Sequence, residues 1–329
     1  MPSWLRTTLK LIFTGVILGI LVRIAGARDI LSAFDSLAWH AVAAMIICAL
    51  IRRFVISTQL WLILRQSGLS VSVFRVFLAN ALAALYSIFL PGNIASAGVK
   101  WLDLSAATGK KAAVFNGLIY HRMVMTLLTL AIGGAALTIS NPLSYRSLTY
   151  LPAGFLIILS IGFVCVYHPR VGTHLERMLR KLSQRFPVRL SGYAGSIIDA
   201  LGRFRGFSAY DHIRIFAWAL LSVALRILVL FFAIQAMAID VSLVHVLWIS
   251  AFLVFTAALP LTIANLGVRE GLLIVALSPF DVAPALAIAL GLLLFSNQIV
   301  AALIGVAYQI ALNFGWVRWQ VEATHGTAQ

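Results

Sequence analysis

The sequence predicts an all-α polytopic membrane protein, and three observations carry this prediction. Hydrophobic residues make up 62% of the 329 residues and charged residues only 11%, whereas a soluble domain carries about 25% charged residues. About eight hydrophobic segments recur along the chain, most of them long enough to cross a bilayer as a helix. Two of these segments are interrupted by proline and glycine. The segments cover residues 9–26, 38–64, 73–91, 112–139, 149–167, 214–238, 243–260 and 284–312.

The first hydrophobic segment imitates a signal peptide, because Arg6 and Lys10 precede its apolar core and small residues follow it. Arg23 interrupts the apolar run, however, and several further spans follow. We therefore expect this segment to be retained as the first transmembrane helix.

One short pattern occurs twice and relates the two halves of the chain. Residues 90–100 read LPGNIASAGVK and residues 259–269 read LPLTIANLGVR, so both have the form L-P-x-x-I-A-x-x-G-V followed by a cation. Proline removes a backbone donor and glycine loosens the turn, so a helix should break here, at about membrane depth. Paired interruptions of this kind point to the substrate site of a transporter. The predicted helix-breaking residues are Pro91, Gly98, Pro260 and Gly267.

The repeated pattern predicts one transmembrane domain, residues 1–329, built from two related halves. The first half covers residues 9–139 and contains a broken segment at 73–100. Residues 140–213 follow, with one span and a basic amphipathic segment at 168–214. The second half covers residues 214–316 and contains a broken segment at 243–270. Within the basic segment, Leu175, Met178 and Leu179 keep helical spacing. We therefore expect its helices to lie along the lipid headgroups.

The distribution of Lys and Arg favours one orientation, because cytoplasmic loops carry most of the positive charge. Eight full crossings from a cytoplasmic N-terminus would place the basic segment outside. If the two broken segments instead enter and return as re-entrant hairpins, the basic segment and both termini face the cytoplasm. The hairpins then open from opposite sides, which makes the halves an inverted-topology repeat. Eight crossings with an external N-terminus are the alternative, and they fit the charge rule almost as well.

Ionisable residues inside apolar segments are costly and point to function. Arginine holds phosphate bidentately and keeps its charge at any accessible pH, and broken helix ends offer backbone N–H groups to an anion. We therefore predict a site for a phosphate-bearing lipid, with Arg52 and His121 as weaker candidates. The alternative is that some of these cations pair internally or reach the interface. The predicted substrate-binding residues are Arg53, Lys100, Arg122, Arg226, Asn265, Arg269 and Glu270.

Carboxylates are scarce in the apolar segments, where Asp103 and Glu270 are the two candidates. Metal-dependent prenyl or phosphatidyl transferases need several carboxylates around Mg²⁺, so the sequence argues against that class of enzyme. Arg269 and Glu270 are adjacent and cannot share one helix face. We therefore expect Glu270 to pair with a cation elsewhere.

Motifs of several other function classes are missing from the sequence. It contains no GxSxG, HExxH or phosphate-binding loop, and its histidines are not clustered at metal-ligand spacing. We therefore predict no catalytic residues, no metal and no cofactor. The excess of 25 Lys/Arg over 10 Asp/Glu is typical of loops that face anionic headgroups, and we do not expect nucleic acid as a partner.

The segment PLTIANLGVREG at 260–271, with the apolar run after it, resembles the signature of the lysylphosphatidylglycerol synthase/flippase membrane-domain family. The resemblance extends to LPG at 90–92, to Lys100 followed by Arg122 in the next helix, and to Arg53 before a Leu-rich stretch. It covers nearly the whole chain, about residues 9–316. The chain departs from the family pattern at three positions, since Asn265 replaces a usual glycine, Lys100 a usual arginine and His121 a frequent acidic residue.

The resemblance implies the family's membrane fold and a flippase-like activity. Family members that attach an amino acid to the lipid carry a soluble domain, and we expect none after Trp319, so synthase activity should be absent. The leading hypothesis is translocation or binding of a phospholipid or polyprenyl-phosphate-linked lipid, whether plain, aminoacylated or glycosylated. One alternative is a membrane transferase or accessory subunit that works with lipid- or glycan-synthesis enzymes, with Asp103 or Glu270 as base. The other is a structural lipid-binding assembly subunit. All three hypotheses place a multi-pass protein in the inner (cytoplasmic) membrane.

Overall fold

The computed structural model describes residues 19–89, 92–140, 169–183, 206–258 and 265–314, together with position 15 and a few positions between 150 and 162. Within these residues the structure is helical, with no strand. The helices are α1 (Ala27–Ser32), α2 (Trp39–Gln66), α3 (Val73–Phe89), α4 (Gly92–Thr108), α5 (Lys111–Ile139), α6 (Pro169–Ser183), α7 (Ala209–Ala236), α8 (Leu243–Ala258), α9 (Val268–Leu277) and α10 (Pro284–Asn313). A short 3₁₀ turn at Ser278–Phe280 follows α9.

Four helices are long and apolar enough to cross a membrane, namely α2, α5, α7 and α10. Each has 28 to 30 residues, which gives a length of about 42 Å at 1.5 Å per residue. That length exceeds the hydrocarbon core of a bilayer, which is about 30 Å thick. The predicted all-α polytopic membrane fold is therefore confirmed. Most of the predicted segments at 9–26 and 149–167 lie outside the described residues.

The outer surfaces of the long helices are apolar. Ile47 and Phe54 of α2 and Leu303 of α10 expose 57%, 55% and 63% of their surface. Exposed large apolar side chains in such numbers would be unfavourable in water. They are the side chains that a helix presents to lipid.

The helices repeat in the same order in the two halves. Helices α2 to α5 contain 28, 17, 17 and 29 residues, and α7 to α10 contain 28, 16, 10 and 30 residues. The contacts repeat as well, because α3 of the first half packs along α10 of the second, and α8 of the second half packs along α5 of the first. The two first members, α2 and α7, pack along each other in the centre.

The two reciprocal helix pairs meet through small residues at equivalent positions. Gly305 of α10 lies against the backbone carbonyl of Ala81 in α3, and Gly133 of α5 lies against Ala251 of α8. A side chain at either glycine would collide with the neighbouring helix. Small residues at such crossings let two helices in a membrane approach closely. The same kind of glycine contact therefore holds the two halves together at both helix pairs.

The central helices α2 and α7 run antiparallel. The side-chain amide of Gln66 at the end of α2 donates to Asp211 at the start of α7 over 2.6 Å. At the other end of the pair, the backbone N–H of Ala38 donates to the carbonyl of Ala236 over 3.0 Å. Corresponding helices of the two halves therefore point in opposite directions, which is the relation that an inverted-topology repeat requires.

The breaks in the two short-helix pairs differ from each other. In the first half α3 ends at Phe89 and α4 begins at Gly92. Gly98 lies within α4, so the prediction that the helix breaks at Gly98 was wrong; a single glycine without a proline beside it is tolerated inside a packed helix. In the second half, Gly267 has φ 83° directly before α9, a conformation that favours glycine. Pro91 and Pro260 lie outside the described residues.

The close crossing at Gly133 predicts a stability effect that its neighbour Gly134 should not have. A Cβ at Gly133 collides with Ala251, whereas a Cβ at Gly134 meets open space. We expect Gly133→Ala to destabilise the protein by about 1–3 kcal/mol through overpacking, and Gly134→Ala to leave stability unchanged or raise it by up to about 1 kcal/mol. Thermal unfolding of both variants in detergent measures this. Equal midpoints would mean that the α5–α8 crossing is looser than the structure has it.

Candidate functional site

Basic side chains converge on one cavity of about 560 Å³ between α2, α4, α5, α7 and α8. We call it the cationic cavity. Apolar side chains and the hydroxyl-bearing Ser96 and Thr126 complete its wall. The basic residues that line it are Arg52, Lys100, His121, Arg122 and Arg226.

The packing of the central helices places Arg52 at the middle of the molecule. Its Nε donates to the carbonyl oxygen of Ser222 over 3.3 Å, where α2 and α7 cross halfway along their lengths. Arg226 lies one turn further along α7 and lines the same cavity. His121 and Arg122 enter from α5 and Lys100 enters from α4. Both halves of the chain therefore contribute charge to the cationic cavity.

The described residues that line this cavity include no acidic side chain to balance its positive charge. Arg52, Lys100, Arg122 and Arg226 are cations, and no carboxylate is among the lining residues. In the described part of the chain, Lys100, Arg122 and Arg226 make no hydrogen bond or ion pair. The Nε atom of Arg226 and the Nδ1 atom of His121 are buried without a partner there. Arg52, Lys100 and Arg226 are half-buried and Arg122 is exposed. Because cations gathered inside a membrane protein repel one another and are costly without counter-charge, this arrangement suits an anionic ligand.

A second cavity of about 340 Å³ adjoins the first one. We call it the apolar groove, since its wall between α4 and α5 consists of apolar side chains with Arg122 at one end. Trp101 and Phe115 line it from the two helices. It shares Ala97, Leu118 and Arg122 with the cationic cavity. A charged compartment thus lies beside an apolar one, and the two share part of a wall.

The structure brings together three of the residues predicted to bind substrate and separates the others from them. Lys100, Arg122 and Arg226 line the cationic cavity. Arg53 does not, because adjacent residues on a helix point about 100° apart; its Nη2 donates instead to the backbone carbonyl of Asn297 in α10 over 3.0 Å. Asn265 lies before α9 with φ 61°, and its buried Oδ1 has no partner among the described residues.

Arg269 and Glu270 form an ion pair, so the expectation that Glu270 pairs elsewhere was wrong. Nε and Nη2 of Arg269 donate to Oε1 of Glu270 over 3.0 and 2.5 Å, and Oε2 of Glu270 accepts the backbone N–H of Gly267 over 2.6 Å. At a helix start, a glutamate at the third position folds back onto free N–H groups, and the long arginine side chain bends round to reach it. Arg269 also lies over the ring of Phe295, 5.8 Å from its centre.

The surroundings of Glu270 are built for this ion pair. Glu270 is completely buried, and Gly291 of α10 gives it room, since a Cβ there would lie 2.7 Å from Oε1. Asp103 is held in a similar way by Arg75, whose Nη2 lies 2.7 Å from its carboxylate and whose Nη1 donates to Tyr308. Asp103 therefore joins α3 to α4 through Arg75, whereas Glu270 closes the start of α9. Neither carboxylate lines the cationic cavity.

Sequence reasoning ranked Arg52 and His121 below Arg53 and missed the apolar groove. An RR pair in an apolar helix shows that one arginine faces inward, but only the packing of α2 against α7 decides which one. The groove depends on which faces of α4 and α5 turn toward each other. The spacing of Ala97, Trp101 and Phe115 carries no signal that separates such a face from ordinary packing.

Comparison with known proteins gives one match. A family model described as the lysylphosphatidylglycerol synthase TM region matches residues 8–305, which confirms the resemblance found in the sequence. No curated protein and no solved structure matches the chain.

The buried ion pair at the start of α9 predicts a large stability loss for Glu270→Ala. The substitution leaves the Arg269 charge and the Gly267 N–H buried without their partner, which should cost about 3–5 kcal/mol. Glu176→Ala in α6 is the matched control, because Arg180 of the Glu176–Arg180 pair is exposed and Glu176 is only half-buried. Ion pairs near the surface contribute about 0–1 kcal/mol. Thermal unfolding in detergent compares the two. A Glu270→Ala protein as stable as the control would contradict this role of Glu270.

Proposed function

We propose, from the premise that this chain belongs to the lysylphosphatidylglycerol synthase TM region family, that it binds an anionic membrane lipid and carries it between leaflets. The family makes it a lipid-related, multi-pass membrane protein. The observation that carries the finer proposal is the cationic cavity joined to the apolar groove, with Arg122 in the wall of both.

The headgroup binds in the cationic cavity. A phosphate brings negative charge to Lys100, Arg122 and Arg226, which make no ion pair within the described residues. Charge-assisted hydrogen bonds from arginine to phosphate are short and directional, so they replace the water that the headgroup loses. The same bonds neutralise cations whose burial is otherwise unfavourable.

The hydrocarbon chain of the lipid lies in the apolar groove. Phe115 and Ile119 of α5 and Trp101 of α4 offer it an apolar surface. Because the groove ends at Arg122, a lipid that reaches into the cavity keeps its tail in an apolar environment. A soluble anion would gain nothing from the groove.

Translocation follows from the inverted halves. Lys100 and Arg269 occupy equivalent positions in the two copies of the repeated pattern, yet Lys100 lines an accessible cavity while Arg269 is held by Glu270. If the halves exchange arrangements, a cavity forms around Arg269 and Arg53 as the one around Lys100 closes. The segments 73–100 and 243–270 then act as re-entrant hairpins that open from opposite sides, as in alternating-access carriers.

We place the protein in the inner (cytoplasmic) membrane with both termini in the cytoplasm. Helix α6 carries Arg170, Arg177, Arg180 and Lys181, and the positive-inside rule puts such a helix on the cytoplasmic side. There its cations meet the anionic headgroups of that leaflet.

Translocation fits the site better than a transferase reaction does. An enzyme would need a base near the reacting group, and the sequence offers Asp103 and Glu270. Asp103 is paired with Arg75 and Glu270 with Arg269. Neither carboxylate lines the cationic cavity.

Native mass spectrometry of the gently purified protein tests lipid binding without assuming which lipid is bound. We expect the wild type to retain a phosphate-bearing lipid and Arg122→Gln/Arg226→Gln to retain at least about tenfold less, since a hydrogen bond to a charged group contributes about 1.5–3 kcal/mol. The control Arg177→Gln/Arg180→Gln removes the same charge from α6 and should behave as the wild type. The same bulk lipids on all three proteins would contradict the proposal and favour a structural lipid-binding role.

A further inference from the structure

We propose that the headgroup held in the cationic cavity carries at least two negative charges and no amine. This inference rests on the proposed function and specifies its substrate class: a lipid ending in a phosphate monoester, a diphosphate or two phosphates. It starts from the charge of the wall, where Arg52, Lys100, Arg122 and Arg226 meet without a carboxylate. A single phosphodiester would neutralise only one of these four cations.

The chain pairs its buried cations elsewhere, which makes the cavity an exception. Arg75 has Asp103 at 2.7 Å and Arg269 has Glu270 at 2.5 Å. Half-buried Arg53, which holds α2 to α10, donates instead to a backbone carbonyl. The cavity differs from all three sites because it brings four cations together. Arg52, Lys100 and Arg226 are half-buried and Arg122 is exposed. Cations gathered inside a membrane protein repel one another and are costly without counter-charge, so we assign the counter-charge to the ligand.

An amine in the headgroup would meet repulsion on every side of this cavity. Ethanolamine, lysyl or alanyl headgroups carry an ammonium group, which binds to carboxylates or carbonyl oxygens. Among the described lining residues, the side chains offer it four cations, and as acceptors the hydroxyls of Ser96 and Thr126 and the imidazole of His121 but no carboxylate. The cavity therefore discriminates against zwitterionic and cationic lipids, because like charges brought together without water between them repel strongly.

The donors and the volume of the cavity also fit a headgroup larger than one phosphate. The guanidinium groups of Arg52, Arg122 and Arg226 and the ammonium group of Lys100 together carry more N–H donors than the oxygen atoms of one phosphate can accept. At about 560 Å³, the cavity falls within the range of about 300–1,000 Å³ that is typical of sites for whole small molecules. Two linked phosphate groups use this space and these donors better than one.

A glycerolipid, a prenyl lipid or a soluble anion could supply such a group, and binding assays with matched probes distinguish the three. Binding to the full chain in a nonionic detergent is measured near pH 7.5 for phosphatidic acid, phosphatidylglycerol and phosphatidylethanolamine with identical acyl chains. Farnesyl diphosphate represents prenyl lipids and inorganic pyrophosphate represents soluble anions. The variant is Lys100→Gln/Arg226→Gln, and the control Arg177→Gln/Lys181→Gln removes the same charge from α6.

We expect phosphatidic acid or farnesyl diphosphate to bind at least about tenfold more tightly than phosphatidylglycerol, a difference of about 1.4 kcal/mol. The more tightly bound of the two identifies the lipid as a glycerolipid or a prenyl lipid. The ratio of this affinity to that for phosphatidylglycerol should fall toward one in Lys100→Gln/Arg226→Gln and stay unchanged in the control. Phosphatidylethanolamine should bind most weakly.

Two results would overturn the inference and separate its failure from that of the proposed function. Equal affinities for phosphatidic acid, phosphatidylglycerol and phosphatidylethanolamine, all lowered in the cavity variant, would refute the charge requirement and leave lipid binding intact. Pyrophosphate bound as tightly as farnesyl diphosphate would refute the lipid site, on which the inference rests, and no lipid bound by the wild type would refute both the lipid site and the inference.

Discussion

A cation near the middle of a membrane helix costs about 2.5–3.5 kcal/mol on insertion scales, and this chain brings four of them to one cavity. Arg52, Lys100, Arg122 and Arg226 come from four different helices and from both halves. Because like charges repel, such a group of cations is favourable only with water or an anion between them. The remaining architecture serves to hold these side chains together while excluding the hydrocarbon.

The two halves share the same helix contacts, but the cations at equivalent positions in them have different surroundings. Both are closed by a glycine crossing, at Gly133 in one and at Gly305 in the other, and both end their repeated pattern with a cation. In the first half this cation, Lys100, lines a cavity; in the second half Arg269 is tied to Glu270. Under the proposed function, this asymmetry between equivalent positions corresponds to one of the two alternating arrangements of a carrier.

Much of the fold could be predicted from the sequence. The length of the hydrophobic segments predicts the spanning helices, and the repeated pattern predicts that the two halves correspond. Lys100, Arg122 and Arg226 were identified as candidates since charge inside apolar segments has few structural uses. The pairing of Arg269 with Glu270 was not predictable from helix faces, because it depends on side chains that bend back at a helix start. The choice between Arg52 and Arg53 also needs the packing of α2, whose apolar residues surround the helix on nearly every side.

The most direct test of the account is a leaflet-transfer assay in proteoliposomes, with a tail-labelled form of the lipid that co-purifies with the wild type. Chemical quenching of the label in the outer leaflet reports how fast inner-leaflet lipid becomes accessible. The account predicts protein-dependent transfer that falls to the rate of protein-free liposomes in Arg122→Gln/Arg226→Gln, while Arg177→Gln/Arg180→Gln transfers as the wild type does. Transfer at the wild-type rate by the cavity variant would contradict the central claim that the cationic cavity carries the headgroup.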